Sequence, residues 1–199
     1  MKKETFKVLP ITKQSACALL MEYHYLSGIS KSFKSGFNIG LYDVTKDKYV
    51  GVCIFTGFPV PELAVGCFGL SRNEQDGLFE LSRFVIEPNT QANHHNISTW
   101  FMSRAIKYLL KITKVRAVLS YADSSFHTGV IYAACNFTYY GLSSPKSDFV
   151  TDGGDKISRG RVKGKSGSWV ERSRKHRFLK VFDKKLECQW TEEKWNNSV

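Results

Sequence analysis

Residues 78–123 read LFELSRFVIEP, NTQANHHN, ISTWFMSRAIKYLLKI and TKVRAVLSYAD in unbroken succession. This is a strand, a connection, a helix and a second, buried strand, and no other feature restricts the fold so much. The helix carries apolar residues at Ile97, Phe101, Ala105, Tyr108, Leu109 and Ile112, with Asn96 or Ser98 available as cap. A helix with one apolar face must bury it, and the apolar strands on either side supply the sheet it lies against. Pro88 stops the first strand.

The rest of the chain continues the alternation. FKVLPI (residues 6–11) reads as a strand and TKQSACALLMEYHY as a helix. LSGISKSFKSG (residues 26–36) reads as a loop close to the preceding YHY. FNIGLYD and KYVGVCIFTG, joined through TKDK, form a hairpin, and FPVPELAVGCFG an irregular or short helical connection. After SYAD come a short helix over roughly residues 127–135, the strand FTYYGLS and a final strand KHRFLKVFD. The expected fold class is α/β or α+β: one domain over residues 1–199, a mixed, mostly antiparallel sheet flanked by helices. At 199 residues such a domain needs no disulfide staples.

Charge is concentrated. Net charge is +11, and residues 156–180 hold ten basic residues against Glu171 alone, a local excess of +9. Glycines and serines thread this stretch and Trp169 sits in its middle. Residues 145–176 are therefore expected to be a basic loop or insertion that meets a polyanion, with Lys163, Lys165, Trp169, Arg172, Arg174, Lys175 and Arg177 as the nucleic-acid contacts. A solvated charged loop is the alternative. Five cysteines without CxxC spacing read as buried thiols of a reducing compartment. No run approaches the roughly 18 apolar residues of a membrane span, so the expectation is a soluble, intracellular protein that uses no membrane.

LSYADSSFHTGVIYAACNFTYYG (residues 119–141) sets Asp123, Ser124, Ser125 and His127 at the carboxyl end of an apolar strand, where ligands of open α/β sheets collect. A helix cap would account for one of these residues. Glu80 and Arg83 share a strand, and their separation of three puts them on opposite faces unless a bulge intervenes. His24 and His127 have the chemistry of general bases or metal ligands, and tyrosines including Tyr25 and Tyr132 that of base-stacking platforms or core residues. Dinucleotide, P-loop and serine-hydrolase motifs are absent. NTQANHHN offers backbone amides to a phosphate but lacks the glycines of a close approach.

Taken in order, YHYLSG, GVCIFTGFP, FELSRFVIEPNTQANHHNIS, SYADSSFHTGVIYAACNFTYYG and KHRFLKVFDK resemble the phage Mom-like DNA modification proteins over most of the chain. The resemblance implies a divergent GNAT acyltransferase fold and conversion of adenine N6 in phage DNA to a carbamoylmethyl (methylcarbamoyl) form that blocks host restriction. It places the protein in the cytoplasm of an infected or lysogenic bacterial host. It implies that FELSRFVI and ISTWFMSRAIKYLLK are the strand and helix that hold the acyl-coenzyme A pyrophosphate, with SYAD on the adjoining, splayed strand. Here QANHHN replaces the usual Arg/Gln-x-x-Gly-x-Gly/Ala, making Gln91, Asn93, His95 and Asn96 the cofactor candidates.

The resemblance further implies a site of His24, Tyr25, Glu80, Arg83, Asp123, Ser124, His127 and Tyr132. On physical grounds Asp123 or His127 would handle the proton, Arg83 would hold an anionic donor group or stabilise charge, and Tyr25 or Tyr132 would stack the base. The donor is acetyl-CoA or another acyl or aminoacyl carrier. Iron is associated with the family, with His24, His127 and Asp123 as candidate ligands. Two other readings stay open: a GNAT-like transferase with another acceptor, and a non-enzymatic DNA-binding phage protein.

Overall fold

The computed structural model describes residues 5–25, 33–157 and 159–196. Strand β1 (Phe6–Pro10) leads into helix α1 (Lys13–Tyr23), whose first turn is capped by the Thr12 hydroxyl accepting from the Ser15 amide. β2 (Phe37–Asp43) and β3 (Lys48–Gly57) form the expected hairpin, and α2 (Pro61–Phe68) starts on Pro61 and ends at the left-handed Gly69. β4 (Leu78–Ile86) is followed by α3 (Pro88–Asn93) and α4 (Ile97–Ile112). β5 (Ala117–Asp123), α5 (Val130–Ala134) and β6 (Thr138–Leu142) come next. β7 (Lys146–Thr151), β8 (Lys156–Ile157) and β9 (Gly167–Arg172) precede the last strand, β10 (Lys175–Val181). Most of the loop at residues 26–36 lies outside the described residues.

The main sheet runs β1-β2-β3-β4-β5-β10-β6. Its pairs are antiparallel except β4 with β5. The helix between those two strands is the crossover a parallel pair requires. α4 buries Ile97, Phe101, Met102, Ala105, Ile106 and Leu109 against one face of the sheet. Each fully buried Leu or Phe there contributes about 1.5–3 kcal/mol. α1 packs on the opposite face over Val52, Ile54 and Val85, and α2 over Ala117 and Leu119. Among the described residues no helix is long and apolar enough to cross a membrane.

Two irregularities build the site. β4 and β5 pair only over Leu78–Leu81 and Ala117–Ser120, then part, and the Ser120 hydroxyl ties the fork by donating to the Leu81 carbonyl at 3.0 Å. One strand away, Ile54 pairs with Arg83 and Phe55 with Leu81, which leaves Ser82 as an extra residue. That bulge turns the regular-strand expectation around. Thr56 and Ile54 lie on one face of β3, so their partners Glu80 and Arg83 share a face of β4.

Three sequence expectations change. NTQANHHN is not a loop throughout: with its φ fixed, Pro88 both stops β4 and starts the short helix α3. The helix after SYAD begins at Val130, behind a left-handed Gly129 where an added Cβ would lie 2.3 Å from the Phe178 ring. The basic stretch at residues 145–176 is not a single loop. It folds as a separate sheet in the order β8-β7-β9 between two strands of the main one.

Candidate active site in the fork between β4 and β5

Where β4 and β5 part, a cleft of about 1090 Å³ passes between them. His24 and Tyr25, at the end of α1, and Arg83, on the bulged strand, line one side. The α3–α4 corner lines the other, and the 124–134 segment brings Phe126 and His127 against Tyr25. His24 is buried and stacks on Tyr25, with ring centroids 4.5 Å apart and planes 23° from parallel. Tyr25 also meets Phe126 at 4.7 Å and His127 at 5.9 Å. Tyr25 and Phe126 are 46% and 60% exposed, so aromatic faces stand at the mouth of a cleft whose inner wall is imidazole and guanidinium.

Burial, the Arg83 charge and the neighbouring His127 together push the His24 imidazole down to about 4. Burial also lowers His127, opposed by the Asp123 carboxylate and assisted by His176. Both rings are thus neutral at pH 7 and able to accept a proton. Burial raises the Tyr25 phenol, and the Asp123 charge adds to the effect. Glu80 is raised by burial against the opposing charges of Arg83 and Lys175. The Arg83 Nη1 donates to the Ser82 carbonyl at 2.6 Å, while its buried Nε has no partner. A buried guanidinium N–H without an acceptor is costly, and an incoming anionic or carbonyl oxygen would supply one.

Because the folded His24 is lowered from 6.5 to about 4, its neutral form stabilises the protein above pH 6.5, and that contribution is lost as pH falls through 4. Urea unfolding at pH 7.5 and 4.5 should show His24→Gln losing about 2–3 kcal/mol less than wild type over this interval. Equal losses would mean that His24 is not held neutral.

The resemblance-implied residues separate by place. His24, Tyr25, Arg83, Ser124, His127 and Tyr132 line the cleft. Glu80 and Asp123 are not among the lining residues. Asp123 closes the turn: its carboxylate accepts from the Ser125 amide at 3.1 Å, and its carbonyl accepts from the Phe126 and His127 amides. Tyr132 is buried at 6% exposure against Phe137 and Phe178, its phenol pushed up to about 12, so it is a wall of the cleft rather than a free stacking face. Phe126, Tyr121 and Trp195 were missed. The Trp195 indole donates to the Thr128 carbonyl at 3.1 Å and so steadies the 123–130 turn from the C-terminal segment, a contact across 67 residues that no local pattern announces.

A model of the Mom protein family matches residues 5–194. The chain belongs to that family. No curated protein matches it. Solved structures of similar fold include the ribosomal-protein-S18-alanine N-acetyltransferase of Escherichia coli, with a TM-score of 0.52 at 11% identity, covering 89% of this chain and 94% of that one. A Bacillus subtilis acetyltransferase in complex with CoA has a TM-score of 0.52 at 12% identity and 89% and 97% coverage. The C-terminal condensation domain of Ebony, in complex with beta-alanyl-dopamine, has a TM-score of 0.54 at 9% identity and 89% and 99% coverage. This Mom-family protein therefore has the GNAT acyltransferase fold.

The α4 end of the cleft fits an anionic donor group. Asn96 caps α4 in a left-handed conformation without a side-chain cap bond, and the buried Ser98 hydroxyl next to it has no partner. Unsatisfied donors at the start of a 16-residue helix are what a pyrophosphate needs. Of the cofactor candidates, Gln91, His95 and Asn96 line the cleft, whereas Asn93 is exposed outside it, its amide donating to the Asn89 carbonyl. Among the described residues no group of three His, Cys, Asp or Glu side chains is placed to hold a metal, so His24, His127 and Asp123 do not form the iron site that the resemblance implied.

The basic candidates of this Mom-family protein differ in what holds them. Lys163, Lys165 and Trp169 are exposed on the small sheet and its connection. Arg172 lies 3.6 Å from Asp148. Arg174 donates to the carbonyls of Ser143 and Leu142, and Arg177 stacks 4.6 Å over the Trp190 ring, so both are committed to the fold. Lys175 pairs in register with Asp123 at the end of β5, beside the cleft.

Proposed function

We propose that this Mom-family protein is a DNA-modifying transferase that converts adenine N6 to the carbamoylmethyl (methylcarbamoyl) form, protecting phage DNA from host restriction. The observation that carries the reading is the fork itself. It joins a face bearing neutral imidazoles, a guanidinium and exposed aromatic rings to a face bearing an open helix N-terminus, so that base and donor meet through the sheet.

The adenine enters on the His24 side and lies against Tyr25 and Phe126, having left the duplex, since its amino group is otherwise enclosed by pairing. N6 is a weak nucleophile because its lone pair is delocalised, and alignment at the fork supplies much of the acceleration. A new N6–CH2 bond forms as the bond from the donor's methylene to its carrier breaks, the electron pair departs with the carrier's leaving atom, and one N6 proton passes to His127. Arg83 receives the charge that develops on the departing group.

Gln91, His95, Asn96 and Ser98 would hold a phosphate-bearing carrier whose transferable group is a carbamoylmethyl activated at its methylene carbon; acetyl-CoA in the same place would yield N6-acetyl-adenine instead. A carbamoylmethyl product is joined to N6 through methylene carbon, so the donor must present that carbon rather than a carbonyl alone. The fold likeness to the Ebony condensation domain, whose structure holds beta-alanyl-dopamine, keeps an aminoacyl donor and a different amine acceptor as the second reading. Mass spectrometry of nucleosides from DNA of expressing cells separates them: carbamoylmethyl-adenine supports the first, whereas unmodified DNA with an adduct on another amine supports the second.

A further inference from the structure

The small sheet β8-β7-β9 remains unexplained by the cleft. The main sheet does not need it, because β10 pairs directly with β5 and β6. All six residues of β9 are exposed, with Trp169 at 51% and Val170 at 48%. An indole and an isopropyl group thus stand on opposite sides of an exposed strand. The Trp169 ring is nonetheless supported: buried Phe149 meets it edge-on at 5.4 Å.

The sheet is also joined to the rim of the cleft. The Ser124 amide donates to the Arg174 carbonyl at 3.1 Å, and the Arg174 guanidinium holds the Ser143 carbonyl of the opposite leg at 2.7 Å. Trp169 is five residues before Arg174, roughly 16 Å of extended strand. The connection from β8 to β9 presents exposed Arg161, Lys163 and Lys165, within the stretch whose local excess is +9. A cationic tip, a supported indole and an anchor beside the cleft match one polyanion with stacked rings.

We propose that this sheet is a duplex-opening wedge. The basic connection holds the phosphates, and the Trp169 ring takes the stacking place that the target base vacates on turning into the cleft. Extruding a base costs a few kcal/mol of lost pairing and stacking, and an inserted aromatic ring offsets part of that cost. The identity of the extruded base rests on the adenine reading above, but the wedge does not.

Permanganate oxidises thymines that have lost their stacking, so the full chain is incubated with a long duplex of mixed sequence and thymine reactivity is read along it. Wild type should produce discrete hyperreactive thymines next to or opposite the extruded bases, whichever base is turned out. At matched DNA occupancy Trp169→Ala should lower that reactivity about tenfold, with Trp169→Phe retaining part of it. Lys163→Glu with Lys165→Glu should lower occupancy and its salt dependence instead. Hyperreactivity unchanged in Trp169→Ala, or absent in wild type, would overturn the wedge. Loss of hyperreactivity in Trp169→Ala alongside unmodified cellular adenine would leave the wedge standing and remove the adenine reading.

Discussion

Arg83→Met should lower adenine modification in expressing cells by about 10²–10³-fold while leaving the chain folded, the range seen when one preorganised donor is removed from a developing charge. Arg83 reaches this position because the Ser82 bulge turns it to the His24 face, and its buried Nε lacks a partner within the chain. Arg83→Lys should recover only part of the loss, since an ammonium keeps the charge but not the planar fork of donors. A second readout separates function from packing. The Arg83 charge helps to lower His24, so the His24 titration, followed by NMR, should move up from about 4 in Arg83→Met. Unchanged modification with an unchanged His24 titration would remove Arg83 from the site.

His127→Asn should cost about 10²–10⁴-fold, the usual contribution of a positioned base. Its pH signature is more specific than its size. Burial lowers His127, so the acid limb of wild-type kcat/KM should lie below the ordinary imidazole range, as the ring gains its proton. Asp123 opposes that lowering and also closes the 123–126 turn through its carboxylate, a bond that an amide oxygen can replace. Asp123→Asn should therefore keep the turn and move the acid limb lower still. An acid limb unchanged in His127→Asn would assign the proton to another group.

Much of this architecture was legible because its strands and helices carry regular apolar periods. Residues 37–57, 78–86 and 97–112 could each be read from spacing alone. The features that make the site were not. The Ser82 bulge carries no glycine to announce it, and without it Glu80 and Arg83 read as opposite-faced. The small sheet was hidden because β7 and β9 are short, lie among glycines and lysines, and bury one large apolar side chain, Phe149, whose alternation is too brief to register. Phe126 carries no signal of its own because its placement depends on Tyr25, a hundred residues earlier in the chain.

LSYADSSFHTGVIYAACNFTYYG posed a polar turn that one helix cap would explain only in part. The structure divides the work within it. Asp123 closes the turn, Gly129 starts the helix, and Ser124, Phe126 and His127 face the cleft. Electrostatics and position in the fork, rather than residue type, distinguish these roles.

The most direct measurement is the nucleoside composition of DNA from cells expressing wild type and Arg83→Met at equal protein levels. Carbamoylmethyl-adenine present with wild type and reduced at least a hundredfold with Arg83→Met is the expected result, in line with the loss of a preorganised donor. Adenine unmodified in both, or modified equally in both, would contradict an adenine-modifying site in the fork between β4 and β5.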